Sequence, residues 1–229
     1  MATVSLVLEA ALSAAEVAAC NDTLDTIPWN PEKEGGVQPG EWWGGVQSHN
    51  YGAGGFWKDG VNLQQIYEAG SAFETLIDHP SWFEKMKTFI GSEGAFDSVW
   101  GPVFIDENMA NFRGPGEAIG IHSGGKGLAR NAYHHTGPGG RFMAMQVNVL
   151  IALTDIDEGD GGTMLIPASH KTNLPHPGGD QATGTHKQGT GLAVDGHPGA
   201  IEVFMKAGDA LVFTDAIAHG SARRVSRAV

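Results

Sequence analysis

The sequence has few of the features that mark secreted or membrane-spanning proteins. It contains one cysteine, Cys20, so no disulfide can form within the chain, which is typical of a reducing compartment. No apolar run approaches the ~18 residues that a transmembrane helix needs. The N-terminal segment carries Glu9 and Glu16 and no basic residue, which argues against a secretory signal peptide. These absences predict a cytoplasmic protein.

Basic residues are also scarce. Lys and Arg number 14 against 26 Asp and Glu, and the formal net charge is −12. A surface of this sign repels phosphate backbones and anionic lipids, which excludes general nucleic-acid and membrane binding. It does not exclude an anionic small molecule, because a local arginine can still bind one. We therefore expect a small-molecule substrate and neither a nucleic-acid nor a membrane partner.

Glycine, by contrast, is abundant, with 34 residues in 229. Many of the glycines lie in turns between short apolar runs, which favours many short strands. The predicted strands cover 99–105, 117–122, 142–153, 163–167, 201–205 and 210–213. Helices followed by strands indicate one domain over 1–229, with residues 1–92 as helical and irregular support and residues 93–229 as the β core.

The N-terminal part shows clear helix signals. Ser13-Ala-Ala-Glu16 has the capping-box pattern and predicts a helix to about Leu24. Residues 28–62, rich in Gly, Pro and Trp, are predicted to be irregular. Further helices are predicted over 63–77 and 81–91, on either side of His79-Pro80. The polar segment 172–199 has the length of a lid or a binding loop.

Two histidines stand at the ends of predicted strands and enter glycine-containing turns. His122 precedes Ser123-Gly124-Gly125, and His219 precedes Gly220-Ser221. In a rolled β-sheet the ends of distant strands can meet at one mouth, where two neutral imidazoles could bind iron(II) and leave positions open for a co-substrate and oxygen. The alternative is that each is a strand-end histidine hydrogen-bonded to a loop.

Three segments resemble the phytanoyl-CoA dioxygenase group of iron(II)/2-oxoglutarate oxygenases. They are the run from Ala152 through Asp-Glu-Gly-Asp-Gly-Gly to Ser-His170-Lys171, the run from Gly208-Asp209 to His219-Gly-Ser221, and Ile121-His122-Ser-Gly124. The resemblance covers roughly residues 100–227, and the N-terminal helix also fits. It implies a mostly β, cupin-like double-stranded β-helix (jelly roll) with supporting N-terminal helices. The implied activity is an oxidoreductase, a dioxygenase that uses Fe(II) and 2-oxoglutarate to hydroxylate a small organic substrate.

The resemblance also implies roles for individual residues. His122 and His219 become the metal histidines, and Ser221 matches a position that can contact the carboxylate of 2-oxoglutarate. The arginine that pairs with the distal carboxylate would be Arg223, Arg224 or Arg227, of which we prefer Arg227. The chain ends soon after this segment, which suggests a truncation and a missing final strand.

Gly124 departs from the family pattern. The family normally has Asp or Glu there, which completes a site of two histidines and one carboxylate, and glycine has no side chain to offer. Asp215 is the preferred replacement, with Asp106 and Asp155 as alternatives, although Asp155 fits better as the organiser of a turn. Otherwise the vacant position takes a halide, as in related halogenases, or the protein is a catalytically degenerate, non-enzymatic β-barrel binding protein.

The remaining candidates concern the substrate. Gln146 and Asn148 alternate with apolar residues on a predicted strand, so they either line a pocket or face solvent. The resemblance places His170 in a structural turn or near the substrate. A minor possibility is a cupin-like enzyme that uses His122, His219 and another histidine without 2-oxoglutarate.

Overall fold

The computed structural model describes residues 5–50, 60–90, 101, 103–116, 119–122, 134–136, 141–144, 146–171 and 199–225. These residues form a mostly β fold, as predicted. The strands are β1 (Ser5–Leu8), β2 (Trp42–Trp43), β3 (Val46–Asn50), β4 (Gly60–Gln64), β5 (Met109–Arg113), β6 (Ile119–His122), β7 (His134–Thr136), β8 (Arg141–Met143), β9 (Val147–Ile151), β10 (Thr163–Leu165), β11 (Ile201–Val203), β12 (Ala210–Thr214) and β13 (His219–Ser221). The helices are α1 (Ala14–Thr26), α2 (Ser71–Glu74) and α3 (Phe83–Ile90), with 3-10 turns at Ile66–Ala69 and Ser169–Lys171.

The described strands form four antiparallel sheets. One sheet has the order β1-β12-β9, and a second has the order β11-β10-β13-β6. A third sheet, β2-β3-β4-β5, is contributed mainly by the N-terminal part, and β7 pairs with β8. Strands that are distant in sequence are thus neighbours in both of the first two sheets.

Strand β12 connects two layers of the core, because its side chains alternate between the two faces of the sheet. Leu211 and Phe213 pack in a cluster with Leu165 of β10. Ala210 and Val212 face the other way and pack with α1 and the β2–β5 sheet, in a cluster that includes Cys20. All five β12 side chains, including that of Thr214, are at most 2 % exposed. Strand β12 is therefore buried on both faces, as its unbroken apolar sequence requires.

Helix α1 begins as its sequence predicts. Glu16 N–H donates to the Ser13 hydroxyl at 3.3 Å, and Ser13 N–H donates to the Glu16 carboxylate at 2.7 Å, which completes the capping box. Val17, Cys20 and Leu24 form the buried face of the helix. The thiol of Cys20 is fully buried, and burial raises its pKa, so it is an inert core residue rather than a reactive nucleophile.

The Gly208-Asp209 turn holds the N-terminal segment against β12. Leu12 N–H donates to the Gly208 carbonyl at 2.9 Å, and Ala10 N–H donates to the Asp209 carboxylate at 2.8 Å. Gly208 has a φ of +97°, and a Cβ there would lie 2.8 Å from the Leu12 carbonyl oxygen. Glycine is required at this position by both the backbone angle and the close approach.

Two predictions for the N-terminal part are wrong. Residues 28–62 contain β2, β3 and the start of β4, rather than only irregular structure. The strand signal was the alternation of buried Val46 and Ser48 with more exposed neighbours. The helix predicted over 63–77 is instead the end of β4, a 3-10 turn and the short α2, interrupted by Gly70 at a φ of +143°.

The strand predictions for the C-terminal part are mostly confirmed, apart from β7, which was not predicted, and the following differences. Of the strand predicted over 99–105, the described residues show an isolated bridge at Gly101, and the strand lies later, at β5. The strand predicted over 142–153 is divided into β8 and β9. Strand β13 was missed because it has only three residues and contains Gly220, so that its sequence resembles a turn. In the described part of the chain, no helix is long and apolar enough to cross a membrane.

We expect Ser13→Ala to destabilise the protein by about 1 kcal/mol, because the first turn of α1 loses its cap. The measurement is the urea midpoint of unfolding. Asp22→Ala, an exposed substitution in the same helix, is the control and should change stability by less than about 0.5 kcal/mol. Equal effects of the two variants would show that the capping box contributes nothing specific.

The capping box of Ser13 and Glu16 also predicts that part of the unfolding free energy is lost at acid pH. The Ser13 side chain first, then its backbone N–H and His79, lower the pKa of Glu16 from 4.5 to about 2. A carboxylate with a lowered pKa stabilises the folded state above pH 4.5, and this contribution is lost as the pH falls toward 2. Glu16→Gln should therefore weaken the dependence of unfolding free energy on pH within this window. An unchanged pH profile would contradict the assignment.

Candidate functional site

The two candidate metal histidines lie side by side. His122 ends β6 and His219 begins β13, and the two residues are directly paired between these adjacent strands. Their ring centroids are 4.2 Å apart, and the ring planes are inclined by 55°. The prediction that distant strand ends bring these imidazoles together at one place is thus confirmed in geometry.

His219 faces the core side of its sheet. Its partner on β10 is Leu165, and its ring makes a T-shaped contact with the ring of Phe213 of β12, with the ring centroids 4.9 Å apart. Its Nδ1 lies 2.8 Å from the carbonyl oxygen of Ile217, so Nδ1–H is the donor and Nε2 keeps its lone pair. This is the tautomer that an Nε2 metal ligand needs.

The surroundings of His219 keep its ring neutral. Burial first, and then the neighbouring His122, lower the pKa of His219 well below the ordinary 6.5. The hydrogen bond to Ile217 and the charge of Asp215 oppose this shift. An imidazole must be deprotonated to bind a metal, so the low pKa leaves His219 ready to do so at neutral pH.

Asp215 lies next to the histidine pair. Its Oδ1 is 3.8 Å from Nε2 of His219, and its side chain is 14 % exposed. Asn148 Nδ2 donates to the same Oδ1 at 3.0 Å. With metal–ligand bonds of about 2.1 Å, two ligands of one ion lie about 3 to 4 Å apart, so the separation between Asp215 and His219 fits a shared cation.

The predicted substrate residues also lie near this place. Asn148 is paired with Phe213, so it shares the inner face of the β9–β12 pair and not the outer one. The backbone carbonyl of Gln146 accepts from Asp215 N–H at 3.1 Å and from the Thr214 hydroxyl at 3.3 Å. From the sequence, Gln146 and Asn148 were expected either to line a pocket or to face solvent. The pairing of Asn148 with Phe213 favours the first alternative for Asn148.

His170 is buried in the 3-10 turn Ser169–Lys171. The turn is attached to the residue before His219, because the N–H of Ala218 donates to the Ser169 hydroxyl at 2.7 Å. The Ala218 carbonyl in turn accepts from Ile166 N–H at 2.9 Å. The Ser-His-Lys segment therefore helps to fix the position where β13 begins.

Ser221 is buried and lies two residues after His219 on β13. Its hydroxyl accepts a hydrogen bond of 2.5 Å from Nη1 of Arg113, and Nη2 of the same arginine donates to the Ala222 carbonyl at 3.3 Å. Sequence reasoning missed Arg113. Its signal was a cation at the end of an alternating strand, immediately before the Gly114-Pro-Gly turn.

Other candidates fall away from the site or outside the described residues. Asp155 accepts from the N–H of Ala207 at 2.9 Å and pairs with Lys206 at 3.0 Å, so it organises a turn as predicted. Asp106 is exposed and precedes β5, at the end of that strand opposite Arg113. Gly124 and Arg227 lie outside the described residues.

The donor set fits a metal ion in part. Two neutral imidazoles and a carboxylate are the ligand types that suit a non-haem iron(II) centre with open positions. Within the described ranges, no three His, Cys, Asp or Glu side chains already form a group that could hold a metal ion. The arrangement is therefore a histidine pair with a carboxylate beside it rather than a closed site.

Comparison with known proteins gives one family and a consistent fold. The model of the family described as phytanoyl-CoA dioxygenase (PhyH) matches residues 5–229. No curated protein sequence matches the chain.

Several solved structures share the fold of this chain. HygX from Streptomyces hygroscopicus, with nickel and 2-oxoglutarate bound, is 19% identical, with a TM-score of 0.68 over 99% of this chain and 79% of HygX. SnoK, a non-haem α-ketoglutarate-dependent carbocyclase from nogalamycin biosynthesis, is 17% identical, with a TM-score of 0.63 over 99% of this chain and 76% of SnoK. AviO1 from Streptomyces viridochromogenes Tue57 is 16% identical, with a TM-score of 0.59 over 98% of this chain and 84% of AviO1. At these identities the similarity establishes the jelly-roll fold of the 2-oxoglutarate oxygenases.

Proposed function

Because the chain belongs to the phytanoyl-CoA dioxygenase family, we propose that it is an iron(II)/2-oxoglutarate-dependent dioxygenase that hydroxylates a small organic molecule. The observation that carries the proposal is the pairing of His122 with His219 at a ring separation of 4.2 Å. HygX has been crystallised with iron, and also with nickel, 2-oxoglutarate and hygromycin B. A protein of the same fold thus binds a metal ion, 2-oxoglutarate and a small organic molecule.

In this proposal His122, His219 and Asp215 hold the iron. Bound iron supplies the redox chemistry, in which oxygen converts 2-oxoglutarate to succinate and carbon dioxide while one oxygen atom enters a C–H bond of the substrate. Ile217 fixes the tautomer of His219 through Nδ1–H, and Asn148 orients Asp215. These outer contacts position the ligands before the metal arrives.

The substrate side of the site is proposed from the same surroundings. Asn148 and the Gln146 carbonyl both contact Asp215, and the turn that contains His170 is hydrogen-bonded to Ala218, so we infer that these three residues border the substrate.

Gly124 supports a second candidate, a binding protein of the same fold without catalysis. A glycine at the usual carboxylate position removes one ligand, and a site without a replacement would bind iron poorly. The two candidates differ in whether Asp215 acts as that replacement. A halogenase, with halide in the vacant position, remains a third and lesser candidate.

The first test is anaerobic titration of the metal-free protein with iron(II), with and without 2-oxoglutarate. We expect a weak visible charge-transfer band that requires both, since 2-oxoglutarate would chelate the iron. His122→Ala and His219→Ala should each abolish the band, whereas His49→Ala, on β3, is the control and should retain it. If the wild-type protein shows no metal-dependent binding of 2-oxoglutarate, the dioxygenase proposal is wrong.

The second test concerns the third ligand. Asp215→Asn should weaken iron(II) affinity about ten- to hundredfold, because it removes the anionic donor and leaves the shape nearly unchanged. Asp106→Asn, at one of the two alternative carboxylates, should leave the affinity unchanged. Gly124→Asp in the wild-type background distinguishes the binding protein, since there it would create iron affinity that the natural chain lacks.

A further inference from the structure

We propose that one face of the β2–β5 sheet binds a neutral polyhydroxylated ring, such as a sugar or a cyclitol, as part of the substrate. This face, which we call the amide face, is formed by Trp42, Gln47, Asn62, Gln64 and Asn111. The inference rests on the proposed function, because it names a substrate class, but the binding of the ring needs no metal and can be measured by itself.

The strand register places these side chains in two neighbouring rows on one side of the sheet. Trp42 is paired with Gln47, which is paired with Gln64, and Asn62 is paired with Asn111 in the next row. Directly paired residues share a face of the sheet, and so do residues two apart along one strand. The intervening residues pack in the core on the opposite side, and they include Trp43, Val46, Val61 and Leu63.

The composition of the amide face differs from that of an ordinary solvent face. Exposed sheet positions are usually polar, and charged residues are the most common at protein surfaces. The chain has 26 Asp and Glu and 14 Lys and Arg, yet none of them lies among the described residues of the two rows, which otherwise hold only His49 and Met109. The face therefore offers neutral hydrogen-bonding groups, which suit hydroxyl groups better than ions.

Hydrogen bonds hold the amides in fixed orientations. Asn111 Nδ2 donates to Asn62 Oδ1 at 2.8 Å and to the Val61 carbonyl at 3.3 Å, and His49 Nε2 lies 2.8 Å from Gln47 Oε1. Asn62 Nδ2 and Asn111 Oδ1 make no hydrogen bond within the described part of the chain. A donor and an acceptor held side by side match two neighbouring hydroxyl groups, because each hydroxyl can both donate and accept.

Trp42 adds an apolar surface to the same face. Its side chain is 58 % exposed, although tryptophan is usually well buried, and it lies beside Gln47. The two rows are about 6.6 Å apart, since they are two residues apart along each strand. A six-membered ring with hydroxyl groups on opposite carbons spans about 6 Å, given bonds of about 1.5 Å. Such a ring can pack its C–H bonds on the indole while its hydroxyl groups reach the amides.

The amide face continues to the histidine site through Arg113. This residue lies two positions after Asn111 on β5, so its side chain leaves the strand on the same face. Its guanidinium donates to the hydroxyl of Ser221, which lies two positions after His219 on β13. A ring bound on the amide face would thus lie on the side of the sheet that borders the histidine site, as part of a substrate must.

The test is saturation-transfer NMR on the metal-free, full-length protein with three polyhydroxylated probes. These probes are methyl α-D-glucopyranoside, methyl α-D-galactopyranoside and myo-inositol, and cyclohexanol is the control ring with a single hydroxyl. We expect at least one probe to bind about tenfold more tightly than cyclohexanol, because amides placed to bond hydroxyl groups are left unpaired by a ring that lacks them. A preference for a glycoside or for inositol distinguishes a sugar from a cyclitol.

Three variants connect this binding to the amide face. Trp42→Ala should weaken probe binding about tenfold, and Asn62→Leu, which keeps the size of the side chain, should weaken it about three- to tenfold. Phe204→Ala removes another exposed aromatic side chain, just after β11 and outside the amide face, and should leave probe binding unchanged. All three variants should retain nickel-dependent binding of 2-oxoglutarate in calorimetry, because none changes a proposed metal ligand.

The outcomes separate the inference from the proposed function. If none of the three probes binds more tightly than cyclohexanol, or if Trp42→Ala and Asn62→Leu both keep the wild-type affinity, the amide face does not bind such a ring, and the dioxygenase proposal is unaffected. Probe binding that depends on Trp42 and Asn62, in a protein with no metal-dependent binding of 2-oxoglutarate, would overturn the dioxygenase proposal and leave the amide face as the ligand site of a binding protein.

Discussion

The hydrogen-bonded pairing of β6 with β13 brings together two histidines that lie far apart in the sequence, and every other feature of the site is arranged around that contact. The register between the strands shifts between His219 and Ser221, so that Ser221 is opposite Ile119 while His219 is opposite His122. A bulge of this kind changes the direction in which side chains leave the strand, which is why bulges are common beside functional sites. The irregular pairing lies beside the two histidines, whose rings are 4.2 Å apart.

Burial gives this contact its chemical character. A charged imidazole would be expensive in the space between Phe213, Leu165 and a second imidazole, so the ring of His219 stays neutral. Asp215 brings a carboxylate to the same place, and Asn148 stabilises it with a neutral donor. Imidazole nitrogens and a carboxylate oxygen are donor types that suit a divalent cation such as iron(II).

Much of this arrangement could be predicted from the sequence, because it depends on local signals. The capping box at Ser13, the apolar run of β12 and the histidines at strand ends are each encoded within a few residues. The resemblance to a family supplied the connection between His122 and His219, which no local pattern contains. What could not be predicted was the sheet formed by β2 to β5, since its strands are short and most of them lie in a segment rich in glycine, proline and tryptophan. Arg113 was missed because its importance comes from the contact of its side chain with Ser221 of β13, which is distant in the sequence.

The approach of β5 to the site depends on a glycine. Gly60 of β4 is paired with Arg113, has a φ of +101°, and would place a Cβ only 1.9 Å from the Phe112 carbonyl oxygen. Any side chain at Gly60 would therefore displace the end of β5 and move the Arg113 guanidinium relative to Ser221. Among the described residues, strands β2 to β5 do not pair with β13. The hydrogen bond from Arg113 to Ser221 therefore links this sheet to β13 through a side chain. The N-terminal sheet therefore does more than cover the core, because the packing of this sheet sets the position of the Arg113 guanidinium next to Ser221.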